Sequence, residues 1–324
     1  MRDEIHGLVG DIGGTNARLA LLDEDGRLRD PRNLRCADYR SLADLVGDYL
    51  KAVAGRRCPP RAALAVAGPV IGGETAFTNL DWTVSEIELL GAFPFEAVNL
   101  INDFAAQAMA APVLEADDLR HVGPEVHGDA AAPVAVLGPG TGFGVAGLVR
   151  SDLVELPLAT EGAHSAFAPC DEVEVEIWRR LKAKYGRVSK ERILSGAGLY
   201  DLYLALADIE GAAASLPDQE AVTAAAASGE GLAVATVDRF CEILGSVAGD
   251  LALVLGARGG VFIGGGIAPK LIDSLVSGGF RRRFEEKGRL TDYVRAIPTA
   301  VILHPYAALL GAARELKRQE GLRL

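Results

Sequence analysis

The segment from Val9 to Leu22, VGDIGGTNARLALL, sets an Asp, two glycines, a Thr and an Asn at the tip of an apolar hairpin. Gly13 and Gly14 permit a turn with positive φ. Backbone without Cβ atoms lets N–H groups approach phosphate oxygens closely, and Thr15 and Asn16 add further donors. Asp11, at the end of the first apolar run, suits Mg²⁺ held through water, because Mg²⁺ keeps several of its waters. The bland alternative is an ordinary Gly-Gly hairpin. A second segment of the same design, VAVLGPGTGFGVAGLV from Val134 to Val149, offers another turn at Gly140, Thr141 and Gly142. Two such turns can bring two sets of N–H groups to the same phosphates, which points to a nucleotide-dependent phosphotransferase.

Other phosphate and hydrolase signatures fail. Gly142, Gly144 and Gly147 form a GxGxxG match, with Glu161 placed where an acidic ribose ligand would stand. That motif should open a helix, whereas FGVAGLV reads as a strand. No Gly-Lys-Ser/Thr follows either loop, so a Walker A loop is absent, and neither GxSxG nor HExxH occurs.

The elements that must carry these turns are legible from periodicity. Leu8 to Gly10 and Ala17 to Leu22 read as strands, and Asp23 to Gly26 as a polar turn. Ser41 to Val53 has helical spacing with Ser41 as N-cap. Ala62 to Ala67 and Ala97 to Ile101 are strands, and a helix starts near Phe104. After Pro133 the pattern restarts: a strand hairpin, a strand near Leu153 to Pro157, and a charged helix from Val173 to Tyr185. Helix follows from Ala221 to Leu255, broken near Ser228 to Gly231. The strand Gly260 to Ile263 runs into Gly264, Gly265 and Gly266, and a terminal helix covers Tyr306 to Lys317. Two α/β units of related design are the expectation. Lys182, Lys184 and the run Arg281 to Arg283 read as solvated faces, and Trp82 and Trp178 as packing residues.

Composition bounds the classes. With 324 residues the chain has room for two domains. A net charge of −11 argues against a nucleic-acid surface, while ATP remains possible because backbone amides and a metal ion handle phosphates locally. Cys36, Cys58, Cys170 and Cys241 are scattered, which suits free thiols rather than a disulfide framework or a zinc site. The N-terminus has no apolar signal core, and the long uncharged stretch from Pro133 to Val149 is broken by glycines and a Pro. A soluble cytoplasmic protein with no membrane partner is expected.

Six segments together carry a family resemblance: DIGGTNARLAL, INDFAAQA (Ile101 to Ala108), GPGTGFG, EGAH (Glu161 to His164), ERILSGAGL (Glu191 to Leu199) and GGVFIGGGI (Gly259 to Ile267). In this order, over most of the chain, they resemble the bacterial glucokinases, the non-ROK branch of the hexokinase/actin-like ATPase superfamily. The cysteine-rich zinc motif of ROK sugar kinases is missing. The resemblance implies a two-domain α/β fold of the ribonuclease H-like, actin/hexokinase type, with a cleft between lobes that close over the sugar and exclude water. It implies a small domain from residues 1–113 plus 302–324, a large domain from 114–301, and a homodimer. Asp11, Gly13, Gly14, Thr15 and Asn16 resemble the first phosphate motif, Gly140, Thr141 and Gly142 the second, and Gly264 to Gly266 the adenosine motif. Asn102, Asp103, Glu161, His164 and Glu191 match sugar-binding positions, and Asn79 is placed with them. The implied reaction is Mg·ATP-dependent phosphorylation of D-glucose at its 6-hydroxyl, the entry step of glycolysis, with Asp103 as general base.

The chemistry supports these roles. A sugar hydroxyl is a poor nucleophile, and a carboxylate beside it can accept its proton as the bond to phosphorus develops. Asp103 follows a strand and starts a helix, so it can be held rigidly; its ordinary role there would be the N-cap. Glu161 and Glu191 have surface ion pairs as their ordinary roles, and His164 that of a buried histidine. Carboxylates and imidazole nevertheless suit vicinal sugar hydroxyls, and such a site rejects sugars that leave its groups unpaired by up to ~10⁴-fold. Two departures from the family pattern stand beside these residues: Thr160 before Glu161, and Gly196-Ala197-Gly198 where Gly-Pro-Gly is typical. They bear on fine substrate preference. Rival readings are a kinase for another hexose, a weak sugar-sensing regulator, and an actin-like or chaperone-type ATPase. The first strand begins by about Leu8, so no helix-turn-helix is expected before it. The Glu161, His164 and Glu191 set argues against an ATPase without a small substrate.

Overall fold

The computed structural model describes residues 5–53, 58–77, 80–151 and 154–321. Contacts divide the chain into two units, residues 1–114 with 304–324, and residues 115–303.

In the first unit the alternation of Leu8 and Ile12 with Val9 along one strand sends side chains to two separate cores. Strands β1 (Ile5–Ile12), β2 (Asn16–Asp23) and β3 (Leu28–Arg35) form an antiparallel meander, and β4 (Arg61–Val66) and β7 (Ala97–Asn102) extend it in parallel beyond β1. The sheet order is β3-β2-β1-β4-β7, and β5 (Glu74–Ala76) with β6 (Thr83–Ser85) makes a separate hairpin. Helix α1 (Leu42–Val53) buries Leu42, Leu45, Val46, Tyr49 and Leu50 on one face of the sheet, beside α2 (Glu86–Ala92). The Ser41 hydroxyl accepts the Asp44 N–H at 3.1 Å and caps α1. On the other face the C-terminal helix (Ala307–Gly321) lays Leu309, Ala312, Ala313 and Leu316 on Val9, Ala20, Leu22 and Ala63. Helix α3 (Asp103–Ala110) packs beside it so closely that a Cβ at Gly311 would stand 1.7 Å from the Ala106 carbonyl oxygen.

The second unit repeats the plan. After a short β8 (Leu119–His121), strands β9 (Val134–Pro139), β10 (Phe143–Arg150) and β11 (Glu155–Thr160) form an antiparallel meander, and β12 (Gly260–Ile263) and β13 (Thr299–Ile302) run parallel to β9. The order is β11-β10-β9-β12-β13-β8. Its first five strands reproduce the order and directions of the first sheet, which is the related design expected from the sequence. Helices α4 (Glu172–Tyr185), α5 (Gly196–Glu210), α6 (Gln219–Ala227) and α7 (Gly231–Leu255) come between β11 and β12, and α8 (Ile272–Ser277), α9 (Phe280–Glu285) and α10 (Thr291–Arg295) between β12 and β13. They bury Ile177, Leu202, Phe240, Leu244, Phe280 and Phe284 in one large core.

The solvated-face expectation holds for Arg282, whose side chain is exposed, and is corrected for Arg281 and Arg283. Arg283 is buried and bonds Glu174, itself fully buried, at 2.8 Å, with Asp171 and Arg239 in the same network. A guanidinium so enclosed must be paired, and α4 supplies the carboxylates. Lys184 likewise bonds the buried Asp201 at 2.6 Å. Trp82 is buried edge-on to Phe77, and Trp178 lies against the large core. All four cysteines are free thiols. Among the described residues no helix is long and apolar enough to cross a membrane.

Candidate active site

Each unit carries its own set of candidate groups. In the first, the β1–β2 turn is closed by the Gly13 N–H donating to the Asn16 carbonyl at 2.9 Å. The Thr15 carbonyl accepts the Cys36 N–H at 2.9 Å, and the Ile12 carbonyl accepts the Ala67 N–H at 3.1 Å. Neighbouring segments therefore pin the loop while Thr15 and Asn16 stay exposed at its tip. Asp11 and Arg18 are cross-strand partners, and Arg18 Nη1 donates to Asp11 Oδ2 at 3.1 Å. Burial pushes the Asp11 carboxyl above its usual range, and the Arg18 charge offsets part of that.

The strand-to-helix junction β7–α3 holds Asn102 and Asp103. Asn102, not Asp103, is the helix N-cap: its Oδ1 accepts the N–H groups of Phe104 and Ala105, both at 3.1 Å. Its Nδ2 donates to the Gly68 carbonyl at 3.1 Å and to Asp103 Oδ1 at 3.0 Å. All four hydrogen-bonding capacities of this carboxamide are thus used. Any contact of Asn102 with a sugar would replace one of these bonds. Asp103 Oδ1 also accepts the Phe104 N–H at 2.9 Å, so the carboxylate of the first helical residue has a fixed orientation. Asn79 lies outside the described residues.

In the second unit two distant segments meet. The Glu191 N–H donates to the Ala163 carbonyl and the Lys190 N–H to the Ser165 carbonyl, each at 3.0 Å. This zips the ERILSG segment to the EGAH turn. His164 Nε2 comes to 3.6 Å from Glu161 Oε2, and His164 Nδ1 to 3.8 Å from Glu191 Oε1. Glu161 and His164 are more than half exposed and Glu191 about a third, so the three groups present an open polar face. Thr160 shapes that turn: its hydroxyl donates to the Val145 carbonyl at 2.7 Å and accepts the Gly162 N–H at 3.2 Å.

Glu191 also reaches the second glycine loop. Its Oε2 accepts the Phe143 N–H at 3.1 Å, beside Gly142, where a Cβ would stand 2.7 Å from that same oxygen. The loop is closed by the Gly140 N–H bonding the Gly142 carbonyl at 2.8 Å. It abuts the glycines after β12 backbone to backbone. A Cβ at Gly138 would meet the Gly264 carbonyl carbon and oxygen at 2.4 Å, and one at Gly265, whose φ is +78°, would meet the Pro139 oxygen at 2.4 Å. This close approach is what the glycines supply.

Beside this junction lies a cavity of about 630 Å³. Gly140, Thr141, Gly196, Ala197 and Gly266 line it, with Tyr200, Gln219, Ile267 and Lys270 contributing side chains. The sequence reading found its glycine end and missed Tyr200, Gln219 and Lys270, which come from three separate elements and share no motif.

A family model described as glucokinase matches residues 8–319. The chain belongs to the glucokinase family. Among curated relatives, the glucokinase of Caulobacter vibrioides is 54% identical over 95% of this chain and 94% of its own. That of Caulobacter sp. strain K31 is 53% identical over 95% and 94%. A solved glucokinase from an Antarctic psychrotroph superposes with a TM-score of 0.87 at 38% identity, covering 96% of this chain and 98% of its own. A ROK family glucokinase from Streptomyces griseus, solved with glucose and AMPPNP, has a TM-score of 0.64 at 19% identity over 96% and 99%, a likeness of fold. The reaction of this glucokinase-family chain is ATP-dependent phosphorylation of glucose.

Proposed function

We propose that the chain transfers the γ-phosphoryl group of ATP to the 6-hydroxyl of D-glucose with Asp103 as general base. The observation that carries this reading is the double engagement of Glu191. One oxygen faces His164 of the polar cluster, and the other holds the backbone of the glycine loop. Such a residue ties a hydroxyl-binding face to a phosphate-binding turn.

In this mechanism Glu161, His164 and Glu191 take the vicinal hydroxyls of the sugar. Asp103 accepts the proton of the attacking hydroxyl as the new oxygen–phosphorus bond forms, and the leaving group is ADP. The Asn102 carboxamide aims that carboxylate. The Gly13 and Gly140 N–H groups close the two turns, so the N–H groups of Gly14 and Thr15 and of Thr141 and Gly142 hold the phosphates. The cavity beyond Gly140 takes the nucleoside, with Gly264 to Gly266 as its backbone wall.

Asp11 fits a metal that arrives on the nucleotide. One of its oxygens is paired with Arg18, and no cluster of three or more His, Cys, Asp or Glu side chains among the described residues forms a cage. Mg²⁺ is commonly held by one or two carboxylates together with phosphates and water. Bound there, it would supply charge neutralisation for the β- and γ-phosphates. The test of the whole reading is ADP release by the purified protein with Mg·ATP and a panel of hexoses. Glucose should stimulate release most. Preference for another hexose would overturn the choice of sugar, and no stimulation by any hexose would overturn the reading.

A further inference from the structure

The cavity beside Gly140 is lined by side chains that differ in what they can recognise. Lys270 only donates hydrogen bonds and Glu220 only accepts them. Asp218 accepts the Ala221 N–H at 2.8 Å as the N-cap of α6. The Tyr200 hydroxyl donates to the Leu216 carbonyl at 3.1 Å. Thr141 presents a single hydroxyl at the phosphate end. Gln219 is the lining side chain that offers an acceptor and a paired donor in one plane.

Its position is fixed from two sides. Gln219 is the first residue of α6, following the Asp218 cap. Its carboxamide lies against Gly196, where a Cβ would fall 1.9 Å from Oε1 and 2.9 Å from Nε2. The Gly196 N–H in turn donates to the Gly140 carbonyl at 2.9 Å. The amide therefore stands at a set distance from the phosphate loop, and Gly196 is without a side chain so that it can lie there. Among the described residues that amide makes no hydrogen bond within the protein.

We infer that Gln219 is the residue that selects the base of the phosphoryl donor, reading adenine by a two-point hydrogen bond. The inference rests on the cavity being the nucleoside site. An amide pairs its carbonyl with the adenine 6-amino group and its NH₂ with an adjacent ring nitrogen. A carboxylate in its place lacks the donor half. It suits guanine instead, whose N1–H and 2-amino group are two parallel donors.

The test compares kcat and KM for ATP and for GTP, with glucose saturating, in the wild type and three variants. Gln219→Leu removes the pairing. It should lower kcat/KM for ATP by about 5- to 150-fold, the range of a good two-point base contact. The loss should appear in KM, with kcat and the KM for glucose unchanged. Gln219→Glu should move the ATP-to-GTP preference toward GTP by at least about tenfold, even where the added charge weakens both nucleotides. Ala197→Trp fills the cavity and should raise KM for ATP whichever residue reads the base. Glucose-induced thermal stabilisation confirms that each variant is folded. Unchanged base preference in both Gln219 variants, with Ala197→Trp impaired for ATP, would overturn the role of Gln219 and keep the cavity. An unchanged KM for ATP in Ala197→Trp would overturn the placement of the nucleoside itself.

Discussion

Replacing Gly142 by Ala isolates the link between the proposed sugar face and the proposed phosphate loop. The backbone tolerates the change, since Gly142 is not among the glycines with positive φ. The new Cβ would stand 2.7 Å from Glu191 Oε2 and must gain about 0.7 Å to reach ordinary contact. The neighbour is the end of a flexible side chain, so the carboxylate moves rather than the backbone. A shift of that size stretches the 3.1 Å bond from the Phe143 N–H beyond hydrogen-bonding range. Hydrogen bonds to charged groups contribute about 1.5–3 kcal/mol. Glu191 is about a third exposed, so water replaces part of the loss and the lower end applies. The expected result is a fall of about tenfold in kcat/KM for glucose, with a melting temperature lowered by no more than about 5 °C. The assay is a coupled ADP-release measurement over a glucose series, repeated in a Glu191→Ala background. There Gly142→Ala should be nearly silent, because its target is gone. An undiminished kcat/KM in the single variant, or an equal loss in both backgrounds, would refute the reasoning.

Other consequences follow from the buried charges. Glu174→Gln removes the fully buried partner of Arg283 and should cost about 3–5 kcal/mol in urea unfolding. A loss below about 1 kcal/mol would show that Asp171 suffices for that guanidinium. The Arg27 N–H at 2.8 Å, aided by Arg29, holds the Asp23 carboxyl below its usual range against the opposing effect of burial. A lowered folded-state value stabilises above the ordinary 3.8 and is lost as the pH falls through the folded value. The melting-temperature gap between the wild type and Asp23→Asn should therefore be full at neutral pH and shrink in acid. A gap that widens in acid would contradict that sign.

The strands and loops of both glycine turns were legible because apolar runs broken by glycine are strong local signals. Elements lacking such signals were not. Strand β3, LRDPRNLR, is polar and mostly exposed; it is a strand because β2 pairs with it at the sheet edge. Helix α5 opens on Gly196-Ala197-Gly198, a poor helix start, and is held by a Ser195 cap and by burial of Leu199, Leu202 and Leu206. At the site, residue types pointed to Glu161 and His164 as neighbours, but only the zipped loops bring Glu191 to them. Asp103 looked like a cap by position. The structure gives that task to Asn102, one residue earlier, whose amide then orients Asp103. Gln219 and Tyr200 carried no motif, since the cavity they share with Gly140 is made by folding.

The most direct measurement of the central claim is turnover by Asp103→Asn together with its affinity for glucose by calorimetry. The account predicts that kcat falls by about 10²- to 10⁴-fold, as expected for removal of a general base, while glucose still binds within a few-fold of the wild type. A variant that binds glucose and turns over at the wild-type rate would contradict the assignment of Asp103.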